Sequence, residues 1–231
     1  MTSPLDLLAR GEIDVKGRMP ASSNATLLVE VTLAGATTLA VYKPGRGERP
    51  LWDFPPELFR REIAAYHLSE ALGWDLVPLT VARAGPYGDG SLQLFVHADF
   101  AQHYFTLRED PAHEARLRQI CLFDVVANNA DRKGGHCLLG PDGVIRAVDN
   151  GLCFHAEPKL RTVIWDFAGE PIARALLDDL RRLLRRGFPD DLTALLDEEE
   201  RAALVRRARR VLASGRFPED HTGSRYPWPL V

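Results

Sequence analysis

Two aspartates on either side of a short apolar strand–turn–strand pattern constrain this chain more than any other feature. The stretch Phe123-Asp-Val-Val-Ala-Asn-Asn-Ala-Asp-Arg-Lys-Gly-Gly-His136 puts Asp131 on a polar loop, and Ala147-Val-Asp-Asn-Gly151 puts Asp149 just past an apolar run. Between them, Cys137-Leu-Leu139 and Val144-Ile-Arg-Ala-Val148 are joined by the turn residues Gly140-Pro-Asp-Gly143, the pattern of a β-hairpin. A hairpin brings its two flanks together. One acid can then orient a hydroxyl nucleophile while the other holds a divalent metal on a phosphate. Phosphoryl transfer uses that division of labour, because its catalysis is mostly positioning and charge neutralisation. Asp, Asn and Gly are also ordinary turn residues, so two acids near turns can be merely solvated or capping. The upstream half of the chain has to decide.

That half begins with Glu12-Ile-Asp-Val15, a strand pattern, then a polar loop from Lys16 to Asn24, then the β-branched run Ala25–Leu33. Small polar residues let backbone N–H groups and hydroxyls approach an anion, which makes Ser22, Ser23 and Asn24 candidates for holding phosphate. Composition alone describes only a hairpin loop. A third strand, Thr38-Leu-Ala-Val-Tyr-Lys-Pro44, ends in Lys43, whose charge can point inward at nucleotide phosphates or outward at solvent. Pro44 stops further pairing there. The segment Glu57–Leu72 has apolar residues near a helical period, Pro55 and Pro56 before it and Gly73 after it. Glu62 lies at the edge of its apolar stripe, where it can face Lys43 and hold it. Glu57 is the other acid, but it sits in the first turn, where the helix dipole already accounts for it. Two more strands follow, Asp75–Ala82 and Ser91–Val96, around the turn Gly85–Gly90.

Three strands, a helix and two strands is the order of a kinase small lobe. Val96-His97-Ala98 is then the hinge, where backbone groups meet an adenine. With Val41-Tyr-Lys-Pro44, Arg61-Glu-Ile-Ala-Ala-Tyr66, Asn129-Ala-Asp-Arg-Lys133 and Val148-Asp-Asn-Gly151 in view, the chain resembles the phosphatidylinositol 3-/4-kinase-like superfamily, within it the short actinobacterial SCO1664 family. The resemblance covers roughly Gly11 to Trp165. It implies that Lys43 is the nucleotide-phosphate lysine and Glu62 its helix partner. It makes Asp131 the catalytic aspartate and Asp149 the metal ligand, and gives Arg132 the place of the arginine after the catalytic acid.

The chain departs from that pattern twice. An Asn is expected five residues after the catalytic Asp, as a second metal ligand, and His136 stands there. Imidazole is softer than an amide oxygen and suits Mg²⁺ less well. Three readings stay open: His136 is a ligand, with Mn²⁺ favoured; it contacts phosphate; or the site is weakened. The segment from Leu152 to Arg161 is also short and carries no Ala-Pro-Glu anchor, so activation-loop phosphorylation is not expected.

Composition excludes other classes. The chain has 231 residues, 45% hydrophobic and 26% charged, with a net charge of −3, enough for a core and without a nucleic-acid footprint. There is no Walker loop, dinucleotide fingerprint, nucleophile elbow or zinc-protease motif. No run is apolar enough to span a membrane, and the N-terminal residues lack a signal-peptide core, so a cytoplasmic protein is expected. Cys121, Cys137 and Cys153 have neither zinc spacing nor a pairing partner each, and read as buried thiols.

The expected fold is α+β and two-lobed, protein-kinase-like, with an antiparallel-sheet N-lobe at residues 1–96 and a mainly helical C-lobe at residues 97–231. A helix near Ala112–Val126 should feed the catalytic loop. Another should start at Pro171, and Asp197 with Glu200 should form the capping box of the last. Glu198, Glu199 and Glu200 read as balancing the arginines of a solvated face. The tail from His221 should pack back or fray. The expected activity is ATP- and Mg²⁺-dependent phosphotransfer to the hydroxyl of a protein or small molecule. The alternative is a nucleotide-binding pseudokinase with a regulatory or scaffold role.

Overall fold

A computed structural model describes residues 2–20 and 24–231. Helix α1 (Pro4–Arg10) starts with Ser3 as its cap and Pro4 at its first position, a pairing that satisfies one end N–H and removes another. Strands β1 (Glu12–Arg18), β2 (Leu27–Leu33) and β3 (Ala36–Pro44) follow, then α2 (Phe59–Leu72), β4 (Thr80–Gly85) and β5 (Gly88–Leu94). They form one antiparallel sheet in the order β1-β2-β3-β5-β4. The strand–helix order expected from sequence is therefore present, with α1 added in front.

Several boundaries differ from expectation. Lys16, Gly17 and Arg18 continue β1 past a bulge instead of opening a loop, because the backbones on its far side pair with Leu28 and Leu27. The stretch from Asp75 to Leu79 is not strand. Its amides at Leu76 and Val77 turn to the hydroxyl of Ser69, and β4 begins only at Thr80. Glu57 lies outside α2, in a left-handed conformation, and pairs with Arg60. The carboxylate of Glu48 accepts the N–H of Phe59 at 2.8 Å and so caps the helix start.

The second half begins with the short helix α3 (Tyr104–Leu107) and the long α4 (Glu114–Ala127). The hairpin β6 (Cys137–Leu139) and β7 (Ile145–Ala147) turns at Gly140–Gly143, with Gly143 at φ 75°. Helices α5 (Arg174–Arg186), α6 (Asp190–Thr193) and α7 (Glu198–Ser214) complete the chain. Helix α5 starts three residues later than expected, since Pro171 is bridged to Arg216. The capping box of α7 forms as the sequence suggests: Glu200 N–H donates to Asp197 at 2.8 Å and Asp197 N–H to Glu200 at 3.1 Å. The tail packs back in part, through Gly134 N–H to the Leu230 carbonyl and Thr162 N–H to that of Arg225.

Among the described residues there are three buried apolar clusters, the least of them Phe54, Leu58 and Ala130. A second lies under the sheet, where Val29, Val31, Ala40, Tyr42 and Leu92 meet Leu8 of α1. The largest joins α4, α5, α7 and the hairpin, and it includes Ala64, Ala65, Leu68 and Leu72 of α2. Helix α2 thus sits between strands of the first half in sequence, yet its apolar side belongs to the helical core. Burying apolar side chains is worth about 1.5–3 kcal/mol each, so this choice of partner strongly restrains α2. All three cysteines are free and buried.

Candidate active site

The site forms where β3, α2, the loop after α4 and the end of the hairpin converge. Alternation along β3 sends Ala40 and Tyr42 into the core under the sheet and leaves Lys43 on the opposite face. A side chain at Gly90, opposite the end of β3, would overlap the carbonyl of Lys43, so glycine there permits the close pairing that fixes the lysine's backbone.

Lys43 is ion-paired with Glu62 of α2, which is almost entirely buried, and with Asp149 at 2.7 Å. Both carboxylates raise the Lys43 ammonium above its usual range although burial opposes this, so it stays charged. Coulombic attraction to Lys43 holds Asp149 well below the usual carboxylate range, and 53% of its side chain remains exposed. The other oxygen of Glu62 accepts the N–H of Asn150 at 2.9 Å. One buried glutamate therefore ties the β3 lysine to the backbone beside Asp149. Asp149 itself has φ 57°, a left-handed conformation that is uncommon outside glycine and held here by its neighbours.

Asp131 lies on the neighbouring loop with 28% of its side chain exposed. The αL cap Asn128 ends α4 and redirects the chain, and Asn129 accepts the N–H of Asp131 at 2.9 Å. Backbone bonds strap this loop to the chain after Asp149: Ala130 N–H to Leu152, Arg161 N–H to Asn129, Arg132 N–H to Arg161 and Val163 N–H to Arg132. Burial raises the carboxyl of Asp131, and Lys133, 3.1 Å away, partly offsets it.

His136 stands 3.3 Å from Asp149 through Nε2. Its Nδ1 accepts the N–H of Lys133 at 3.3 Å. Burial lowers its pKa to about 4, so the ring is neutral near pH 7. A neutral ring that accepts at Nδ1 carries its proton on Nε2, the nitrogen that stands 3.3 Å from Asp149. In this arrangement Nε2 is protonated and has no lone pair for a metal. Nε2 can ligate a metal only if the bond from Lys133 is given up. Among the described residues no group of three or more His, Cys, Asp or Glu side chains is gathered as a metal cage. An exposed, fully ionised Asp149 still suits a Mg²⁺ ion, which is usually held by one or two carboxylates together with substrate phosphates.

Arg132 does not reach the cleft. It is completely buried, bonded to both oxygens of Asp124, to the Asn150 side chain at 2.7 Å and to the Val148 carbonyl at 2.6 Å. A guanidinium can be buried only where its donors are met, and this loop supplies those acceptors. Asn24 uses its side-chain oxygen to accept the N–H of Arg49 at 2.9 Å, beside the turn that follows Lys43. Ser22 and Ser23 lie outside the described residues. Val96 is half-buried just past β5, where the N–H of Phe95 donates to Leu39.

Sequence reasoning missed Asp124, Lys133 and Asn150. Asp124 did leave a signal: it is an acid inside the apolar helical run from Ile120 to Ala127, where a charge needs a partner. Lys133 and Asn150 left none beyond adjacency to the two acids.

Comparison with known proteins agrees with this architecture. No family model matches the chain. Hydra Fam20, in a structure with sugar, superposes with a TM-score of 0.61 at 14% identity, covering 93% of this chain and 89% of that one. The Helicobacter pylori proinflammatory kinase CtkA superposes with a TM-score of 0.56 at 13% identity, covering 90% and 97%. The fold is therefore kinase-like, α+β and two-lobed, although likeness at this identity does not select the phosphatidylinositol 3-/4-kinase branch. Protein Rv2133c of Mycobacterium tuberculosis (strain ATCC 25618 / H37Rv) is 40% identical over 260 aligned positions, covering 96% of this chain and 94% of that protein. The chain thus belongs to the family of Rv2133c.

Proposed function

We propose that the chain is an ATP- and Mg²⁺-dependent phosphotransferase acting on the hydroxyl of a protein or small molecule. The observation that carries this reading is the convergence of Lys43, Glu62 and Asp149 beside the loop of Asp131. The motifs around these residues motivate a place in the phosphatidylinositol 3-/4-kinase-like superfamily. The N-lobe is taken as residues 1–96 and the C-lobe as residues 97–231, with the nucleotide base against the Val96 hinge. A cytoplasmic location belongs to the same reading, supported by three buried thiols that suit a reducing compartment.

In this reading Lys43, kept charged and fixed by Glu62, binds the α- and β-phosphates. Asp149 holds the metal, and His136 stands beside it with Nε2 3.3 Å from its carboxylate. Bound Mg²⁺–ATP supplies the phosphoryl group and the charge that neutralises it. Asp131 accepts the proton of the acceptor hydroxyl, a task that its raised pKa favours. Lys133 balances the charge of Asp131 and steadies its orientation.

The test is thermal unfolding with ATP plus Mg²⁺ or Mn²⁺, for wild type and Asp149→Asn. Ligand at about 100 times Kd adds roughly 2.7 kcal/mol, several degrees of Tm for a domain of this size. A metal-dependent shift that the variant loses supports the reading, and no shift with either metal sinks it. His136, with Nδ1 already accepting the Lys133 N–H where a second metal ligand is expected, favours one alternative: a nucleotide-binding pseudokinase with a regulatory or scaffold role. Any ATP-dependent phosphorylated product excludes it.

A further inference from the structure

Residues 61 and 62 are consecutive on α2 and both are buried charges, yet they point to different places. Glu62 faces Lys43 across the cleft. Arg61 faces the helical half of the molecule. Its guanidinium is ion-paired with Glu200 in the first turn of α7, donates through Nε to the Cys153 carbonyl at 3.0 Å, and lies 5.8 Å from the centre of the Phe54 ring. Glu200 divides its oxygens. One receives Arg61, and the other accepts the Asp197 N–H that completes the capping box of α7. No partner in this set is free to leave without exposing a buried charge.

The two residues hold the chain after Asp149 at two points. Glu62 receives the N–H of Asn150, and Arg61 binds the carbonyl of Cys153. Asn150 is bonded in turn to Arg132, and Arg132 to Asp124. Arg60, one residue earlier, donates to the Ala194 carbonyl at 2.9 Å just past α6. The apolar side of α2 lies in the helical core.

We propose that Arg61, through its buried pair with Glu200, is a positioning residue that fixes Glu62 and the Asp149 segment against Lys43 before any nucleotide binds. The site is preassembled by the C-terminal helices and needs no phosphorylation or partner to bring α2 into place. This rests on the phosphotransferase reading above and assigns that site its support. Glu200 positions the nucleotide site from α7, 138 positions after Glu62 in the sequence.

The experiment compares four full-length proteins: wild type, Glu200→Gln, Arg61→Lys and Leu183→Ala. Gln at position 200 keeps the capping box and removes only the charge opposite Arg61. Lys at position 61 keeps the charge but replaces the planar fork, whose Nε and Nη2 reach separate acceptors, by a single nitrogen, and it carries the test if the other variant does not fold. Leu183 is buried on α5 and makes none of these bonds, so its variant controls for loss of stability alone. Hydrogen exchange at the Asn150 amide is read without nucleotide, and the Kd of ATP with Mg²⁺ is then measured by titration.

Both clamp variants should exchange at Asn150 at least tenfold faster than the Leu183→Ala protein of equal Tm and bind ATP at least tenfold more weakly. Unchanged Asn150 exchange overturns the proposal. So does faster exchange with an unchanged Kd, because the clamp would then not reach the site. If wild type itself binds no nucleotide, the phosphotransferase reading fails, and the nucleotide role of Arg61 and Glu200 fails with it whatever the exchange shows.

Discussion

Asp149 and Asp124 are both aspartates paired to a strong cation, and they live in opposite surroundings. Asp149 meets Lys43 at the edge of a cleft with half its side chain open. Asp124 meets Arg132 with no exposed surface on either side chain. Burial raises Asp124, although Arg132 opposes that, while the lysine lowers Asp149. The difference separates two uses of one chemistry. An exposed carboxylate with a shared lysine can exchange partners with a ligand. A sealed pair fixes the loop on which the exposed groups stand.

Breaking each side of this comparison should give different signatures. The largest effect is on chemistry. Asp131→Ala and Asp149→Asn should each lower phosphotransfer by about a thousandfold or more while Tm moves by only a few degrees, read by product formation and thermal melting. Asn tolerates the left-handed conformation at position 149, so little strain is added there. Full activity in Asp131→Ala would remove that residue from the mechanism.

Next in size is the sealed pair. Asp124→Ala leaves Arg132 buried without its counter-charge and should cost about 3–5 kcal/mol in urea denaturation. A loss below about 1 kcal/mol would show that water reaches the pair, and the contrast between the two aspartates would dissolve.

A third prediction concerns pH. Burial depresses His136 to about 4 from its ordinary 6.5, so the folded ring resists a proton that the unfolded ring accepts. Its contribution is complete above pH 6.5 and declines as pH falls from 6.5 toward 4, by roughly 3 kcal/mol at most. The difference in stability between wild type and His136→Asn, followed across that window, should shrink toward acid. A difference constant with pH would mean that folding does not lower the pKa of the ring. The smallest effect is local: Asp197→Ala, which removes the α7 cap, should cost about 1 kcal/mol by the same denaturation.

Much of the fold was legible in the chain. The alternation ending at Lys43 and the helical period around Glu62 are short-range patterns, and each survives into β3 and α2. The hairpin between Asp131 and Asp149 was visible because Gly140-Pro-Asp-Gly143 has turn chemistry of its own. Arg132 was expected at the site beside the catalytic acid, and Glu200, correctly read as a capping partner, was also read as part of a solvated face; each is buried against a distant partner that its own segment does not announce. Lys16–Arg18 reads as loop because a polar edge strand has the composition of one.

By itself the sequence determined most of the strands, helices and turns, though not α1 or the boundaries of β1 and β4. These follow from periods of two and 3.6 residues and from turn and cap preferences, all of which act over a few positions. Only the tertiary structure decided which charges meet. Lys43 and Asp149 are 106 residues apart, Glu62 and Asn150 are 88, and Arg61 and Glu200 are 139. Pairing over such distances depends on how α2 packs between its own sheet and the helical core. That is a matter of the apolar area buried, and no local pattern encodes it.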